Sequence, residues 1–143
     1  MSTPFRLQVP RSIVAEMLVH ARAELPNECC GLLAGSVAEG ATARAEQCYP
    51  LVNAAASPRH YLSDPRSMLR ADKDMRRRGL SLLAVYHSHP LSAPVPSPTD
   101  LAQNNYGAEV VNFIISLMAA EPDIRGWWLA ETDYSEAEWE QTD

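Results

Sequence analysis

His87 and His89 stand two residues apart in the stretch Leu82-Leu-Ala-Val-Tyr-His-Ser-His-Pro90. On an extended chain, side chains two apart leave the same face about 7 Å from each other at the backbone, so both imidazoles can converge on one cation. Two polar groups at a strand end would give the same pair. The residues that follow bear on the choice. Pro90 ends the strand, a loop holding Pro94 and Pro96 comes next, and a helix opens on Ser97-Pro-Thr-Asp100. A carboxylate in that first turn can swing back towards the two rings. Ser-x-x-Asp is also the pattern of a capping box, which needs no metal, but a carboxylate fixed in a first turn is a preorganised ligand, so the two readings are compatible. Two neutral imidazoles and one carboxylate leave a tetrahedral Zn²⁺ one open position, the arrangement of a catalytic site that makes hydroxide near neutral pH.

Hydrolysis at such a centre also needs a group to take a proton from water and pass it to a leaving amine. Glu28 is the candidate, at the head of the apolar segment Glu28-Cys-Cys-Gly-Leu-Leu-Ala-Gly35, where a carboxylate near a cation is in the setting of a tuned general base. A glutamate exposed at the start of a strand would look the same, and spacing does not place Glu28 beside His87.

The elements that must position these groups read as follows. Phe5 to Val9 alternates as a short strand ended by Pro10, and Arg11 to Glu24 carries one apolar stripe of a helix through Ile13, Val14, Met17, Leu18 and Ala21, stopped by Pro26. His20 borders that stripe as a helix-surface or locally satisfied histidine. The Glu28 segment is a strand, and Ala41 to Val52 its antiparallel partner, with Gly35 and Gly40 flanking the connection. Ser63 or Asp64 caps a second helix that has Pro65 at its first position and ends at Gly79. Its Arg76-Arg77-Arg78 run complements the helix dipole and pairs with Asp72 and Asp74 as a solvated face. Ser81 to Tyr86 is a buried strand delivering the two histidines, and Ser97 caps a short helix running towards Asn105. Val110 to Met118 reads as an internal strand, Gly126 to Glu131 as another, and Tyr134 to Glu140 as a last strand at an edge. This order suggests a mixed sheet flanked by helices, an α/β or α+β sandwich.

The 143 residues suit one domain spanning 1–143. With 12 basic against 18 acidic side chains, the charge of −6 disfavours nucleic acid, which wants a concentrated basic face. No apolar run approaches the roughly 20 residues of a membrane span, and no export signal is read at the N-terminus. Cys29, Cys30 and Cys48 are an odd number with two adjacent, a poor disulfide framework. They read as small core residues, and a reducing cytoplasm is the expected location.

Taken together, His87-Ser-His89-Pro90, six residues, Ser97, two residues and Asp100, with the upstream Glu28 strand and Tyr61-Leu-Ser-Asp64-Pro65, resemble the JAMM motif of the MPN-domain (Mov34/MPN/PAD-1) zinc isopeptidases over about residues 5 to 131. The resemblance implies the MPN/JAB1 (cytidine-deaminase-like) architecture, a curved mixed sheet between helices. It implies one Zn²⁺ per chain held by His87, His89 and Asp100, with Glu28 as general acid/base and Ser97 as a donor to the tetrahedral oxyanion. The short loop from Pro90 to Ser97 is similar to the compact prokaryotic members. Those act on ubiquitin-like sulfur-carrier proteins, hydrolysing the amide bond after a terminal Gly-Gly in processing, cysteine release or deconjugation. An extended substrate tail lying against a sheet edge by strand addition is then expected. A metal-free MPN scaffold that binds a ubiquitin-like partner is the alternative, disfavoured because every ligand position is retained. A cupin-like site is disfavoured because residues 90–96 contain no acid, and a DNA-associated relative by the acidic charge.

Overall fold

Alternation at the N-terminus gives β1 (Arg6–Pro10), and the apolar stripe gives α1 (Arg11–Ala23), which buries Ile13, Val14, Met17 and Ala21. The computed structural model describes residues 4–38 and 41–143, so the expected turn residue Gly40 lies outside the described residues. β2 (Cys30–Ala38) and β3 (Thr42–Leu51) pair antiparallel, as the two apolar runs suggest. After a polar loop, Asp64 caps α2 (Pro65–Arg78) by accepting from the Ser67 N–H at 3.0 Å, and Gly79 ends it in the left-handed region at φ 68°. On its exposed side Asp72 pairs with Arg76, and Asp74 with Arg77 and Arg78.

β4 (Ser81–His89) is followed by the proline loop, α3 (Pro98–Ala102), β5 (Val111–Ser116) and β6 (Asp123–Leu129). Here the structure departs from expectation. The segment 134–140 is two strands, β7 (Tyr134–Glu136) and β8 (Trp139–Thr142), which sit at opposite ends of an eight-stranded mixed sheet ordered β7-β6-β5-β4-β2-β3-β1-β8. The Ala137 N–H still bonds Gly126 of β6, while the Glu138 carbonyl already accepts from Leu7 of β1. Edges joined by so short a link force the sheet to curl until they nearly meet, and a single flat edge strand cannot serve both. α3 is also shorter than expected, stopping at Ala102.

Alternate residues of β2 and β4 build two cores. Cys29, Leu33, Ala84 and Tyr86 pack with α1, whereas Cys30, Leu32, Ala34 and Val85 pack with Ala71 and Met75 of α2. The helices therefore cover opposite faces. Gly31 is required by this packing: a Cβ there would lie 2.1 Å from the Tyr86 ring. All three cysteines are buried and free. Among the described residues no helix is long and apolar enough to cross a membrane.

Candidate metal centre

β4 carries His87 and His89 on the face away from α1, and both are buried. Their Nε2 atoms lie 3.1 Å apart. Asp100 closes the group, with Oδ1 3.2 Å from His87 Nε2 and Oδ2 3.1 Å from His89 Nε2. Among the described residues these three form the group able to hold a metal ion, and neither Glu28 nor any other histidine belongs to it. Ligands at 2.0–2.2 Å around a tetrahedral ion stand about 3.3 Å from one another, so the donor set, its neutral-imidazole and carboxylate chemistry and its separations fit zinc.

Of the two readings of Asp100, the structure shows the capping box and is compatible with the ligand. The Ser97 Oγ accepts from the Asp100 N–H at 3.0 Å, and Asp100 Oδ2 accepts from the Ser97 N–H at 2.9 Å, a complete capping box. Burial opposes ionisation of this carboxyl, but hydrogen bonds from His87 and His89 outweigh it and hold the group far below the usual carboxylate range. For His89, burial favours the neutral ring. The Asp100 hydrogen bond and the Ala93 carbonyl prevail and shift it upward.

The proline loop is clamped by its carbonyls. Ser116 Oγ bonds Ser92 O at 2.6 Å, His89 Nδ1 bonds Ala93 O at 2.8 Å and Trp127 Nε1 bonds Pro94 O at 2.9 Å. Because a carbonyl only accepts, the His89 contact places a proton on Nδ1, so in the neutral ring Nε2 is the nitrogen left with a lone pair for a metal. Ser116 and Trp127 carried no signal in the sequence, since their partners lie 24 and 33 residues away.

Glu28 sits just ahead of β2 rather than within it. Its N–H donates to Ser57 O at 2.8 Å, and its carbonyl accepts from Asn53 Nδ2 at 3.0 Å. Next to it, the Cys29 N–H donates to Ser88 Oγ at 2.8 Å and the Ser88 N–H to Cys29 O at 3.2 Å. Ser88, between the two histidines but facing the other way, thereby ties the Glu28 segment to β4. The side chain is only 3% exposed, and its Oε1 is buried without a hydrogen-bond partner among the described residues. Burial pushes its pKa up to about 8, partly offset by His89 and reinforced by Asp100. All five residues singled out in the sequence thus meet in one place. His20 belongs elsewhere, bonded through Nδ1 to the Tyr86 hydroxyl at 2.8 Å, and the exposed His60 contributes only its backbone carbonyl.

The strand bearing the histidines has β2 on one side and β5 on the other, which leaves no sheet edge there for strand addition. Near it opens a groove of about 620 Å³, lined by Tyr61, Leu62, Met68, Ala102, Gln103 and Tyr106.

Comparison with known proteins agrees with this geometry. Residues 10–130 match the family model for prokaryotic homologs of the JAB domain. A probable TtuB-protein conjugate cleaving protease of Thermus thermophilus is 41% identical over 108 residues, 75% of this chain and 69% of the relative. A CysO-cysteine peptidase of Mycobacterium tuberculosis is 35% identical over 99 residues, 69% of this chain and 66% of the relative. The solution structure of a Desulfitobacterium hafniense protein superposes with a TM-score of 0.86 at 36% identity, covering 96% of this chain and 93% of that one. The motif resemblance and the curled mixed sheet are both borne out, and the chain belongs to the family of prokaryotic homologs of the JAB domain.

Proposed function

We propose that this chain is a zinc-dependent peptidase that hydrolyses the amide bond following the C-terminal Gly-Gly of a ubiquitin-like sulfur-carrier protein, in the cytoplasm and as a single domain. The observation that carries this reading is the convergence of His87, His89 and Asp100 donor atoms within 3.1–3.2 Å, beside a buried glutamate whose Oε1 has no partner among the described residues. The relatives named as conjugate-cleaving and carrier-cysteine peptidases support the substrate class.

His87 Nε2, His89 Nε2 and an Asp100 oxygen would hold the zinc, which would supply Lewis acidity towards the scissile carbonyl and acidify water. Glu28, its backbone held by Asn53 and Ser57, accepts a proton on its free carboxylate oxygen and returns it to the departing amine. The Ser97 oxygen is occupied by the Asp100 N–H, but its own hydroxyl proton remains available to donate to a developing oxyanion. The groove beside Tyr61 gives an extended tail a further place to lie near the proposed metal site. The free, buried thiols suit a reducing compartment and play no part in the chemistry.

The test is to incubate the zinc-loaded protein with ubiquitin-like carriers bearing C-terminal extensions and weigh the products. Release of everything beyond Gly-Gly by wild type, but not by Glu28→Gln with zinc retained, is the expected result. Binding of a carrier with no cleavage would establish a scaffold instead.

A further inference from the structure

The two histidine ligands are held in different ways. His89 is oriented by a hydrogen bond, Nδ1 to Ala93 O at 2.8 Å. His87 has no counterpart: its Nδ1 is buried without a hydrogen-bond partner among the described residues. What lies against His87 is the Tyr61 ring, at 4.9 Å between centroids and 29° between planes. Every other ring contact among the described residues is edge-on.

Tyr61 is itself fixed. Asn53, buried beneath the loop, donates to His60 O at 3.2 Å and accepts from the Leu62 N–H at 2.9 Å, gripping the residues on either side of the tyrosine. The same amide nitrogen donates to Glu28 O at 3.0 Å. One side chain therefore sets the height of the Tyr61 ring and of the Glu28 backbone together. The other face of the tyrosine's surroundings is the groove, of which Tyr61 forms a wall.

We infer that Tyr61 is a positioning residue for the metal centre: its ring fixes the plane of His87 by stacking, as the Ala93 carbonyl fixes His89 by hydrogen bonding. This rests on the zinc reading above. A ligand free to rotate about its Cβ–Cγ bond must lose that freedom when it coordinates, and a ring already parked in the ligating plane avoids the loss. The stack also needs no particular tautomer, which suits a histidine whose Nδ1 has no partner. An aromatic face is the requirement, so phenylalanine should serve and an aliphatic side chain should not.

The experiment is zinc affinity, measured on metal-free protein by competition with a chromophoric chelator, together with the visible absorption of the Co²⁺-substituted protein. Wild type should bind about one ion. Tyr61→Leu should weaken zinc by about tenfold or more, the scale of lost outer contacts to a ligand, and alter the Co²⁺ spectrum. Tyr61→Phe should stay within about twofold of wild type, and Tyr106→Leu, which lines the same groove without a ring contact to either histidine among the described residues, should bind zinc as wild type does. Melting of the metal-free variants checks that each is folded. Tyr61→Leu binding as tightly as wild type overturns the inference, as does Tyr61→Phe losing as much as Tyr61→Leu. Failure of wild type to bind zinc at all overturns the metal reading itself, which is a different outcome.

Discussion

The two faces of β4 treat buried polar atoms in opposite ways. Towards α1, the Tyr86 hydroxyl bonds His20 Nδ1 at 2.8 Å and accepts from the Cys48 thiol at 3.7 Å, its polar demand met inside an otherwise apolar cluster. On the opposite face, one residue further on, His87 keeps a buried Nδ1, and Glu28 near by a buried Oε1, neither with a partner among the described residues. Leaving such a group unmade costs about 1–3 kcal/mol, so folds seldom tolerate it where nothing is gained. Trp128 Nε1 and Thr142 Oγ1 show that the fold carries such atoms singly elsewhere, but here two of them lie close to three converging donors, which supports the reading of a site for chemistry. One strand thus serves as a structural member on one side and a reactive surface on the other.

The sharpest way to break this contrast is to remove a ligand. His87→Ala should bring zinc content from about one per chain to none and abolish turnover, measured by metal analysis and product mass. Glu28→Gln should come next, keeping zinc while kcat falls about 10²–10⁴-fold, the usual range for lost general acid–base catalysis. Ser97→Ala should lower kcat by about 10²–10³-fold through the missing oxyanion donor. Losing the cap should also take about 1 kcal/mol from stability, read by denaturant titration. On the other face, Tyr86→Phe should cost about 1–3 kcal/mol by orphaning His20 and Cys48, with zinc stoichiometry unchanged. If it stripped the metal instead, the two faces would not be separable.

The smallest effect concerns pH in the metal-free protein. Glu28 has its pKa raised from 4.5 to about 8, so the folded state holds a proton that the unfolded chain releases over that interval. Its contribution to stability is complete below about pH 4.5 and is lost as pH rises towards 8. Unfolding of Glu28→Gln at several pH values should show a shallower decline than wild type. An identical decline would mean that the carboxyl is not desolvated as the structure indicates.

Much of the centre is written locally. The His-x-His pair, the proline loop and the Ser97–Asp100 turn fall within fourteen consecutive residues, where strand period, ring stiffness and capping chemistry act over short range. Glu28 was legible as a residue but not as a neighbour, because its place depends on Ser88, Asn53 and Ser57, reached across 25 or more positions. Tyr61 was visible only as part of a motif, and its stacking on His87 was not. Ser88 did carry a usable signal: a small polar residue between two outward histidines must face inward and find a partner. The split of residues 134–140 into two strands was not legible, since each half alternates acceptably and only closure of the curled sheet assigns them to opposite ends.

α3 has five residues and fully buries none of them, so it is held by its capping box and by Leu101 packing against Ile114, Trp127 and Leu129. The capping box of Ser97 is closed by Asp100, the same carboxylate that faces both imidazoles, and its Oδ2 is shared between the Ser97 amide and His89. On the proposed zinc reading, loading the ion would therefore help to latch the 97–102 segment. Chelation should render the peptide bonds around Thr99 markedly more accessible to amide exchange and to proteolytic nicking, while β4 stays protected. The segment then reports occupancy: a stripped molecule would be cleared sooner than a loaded one.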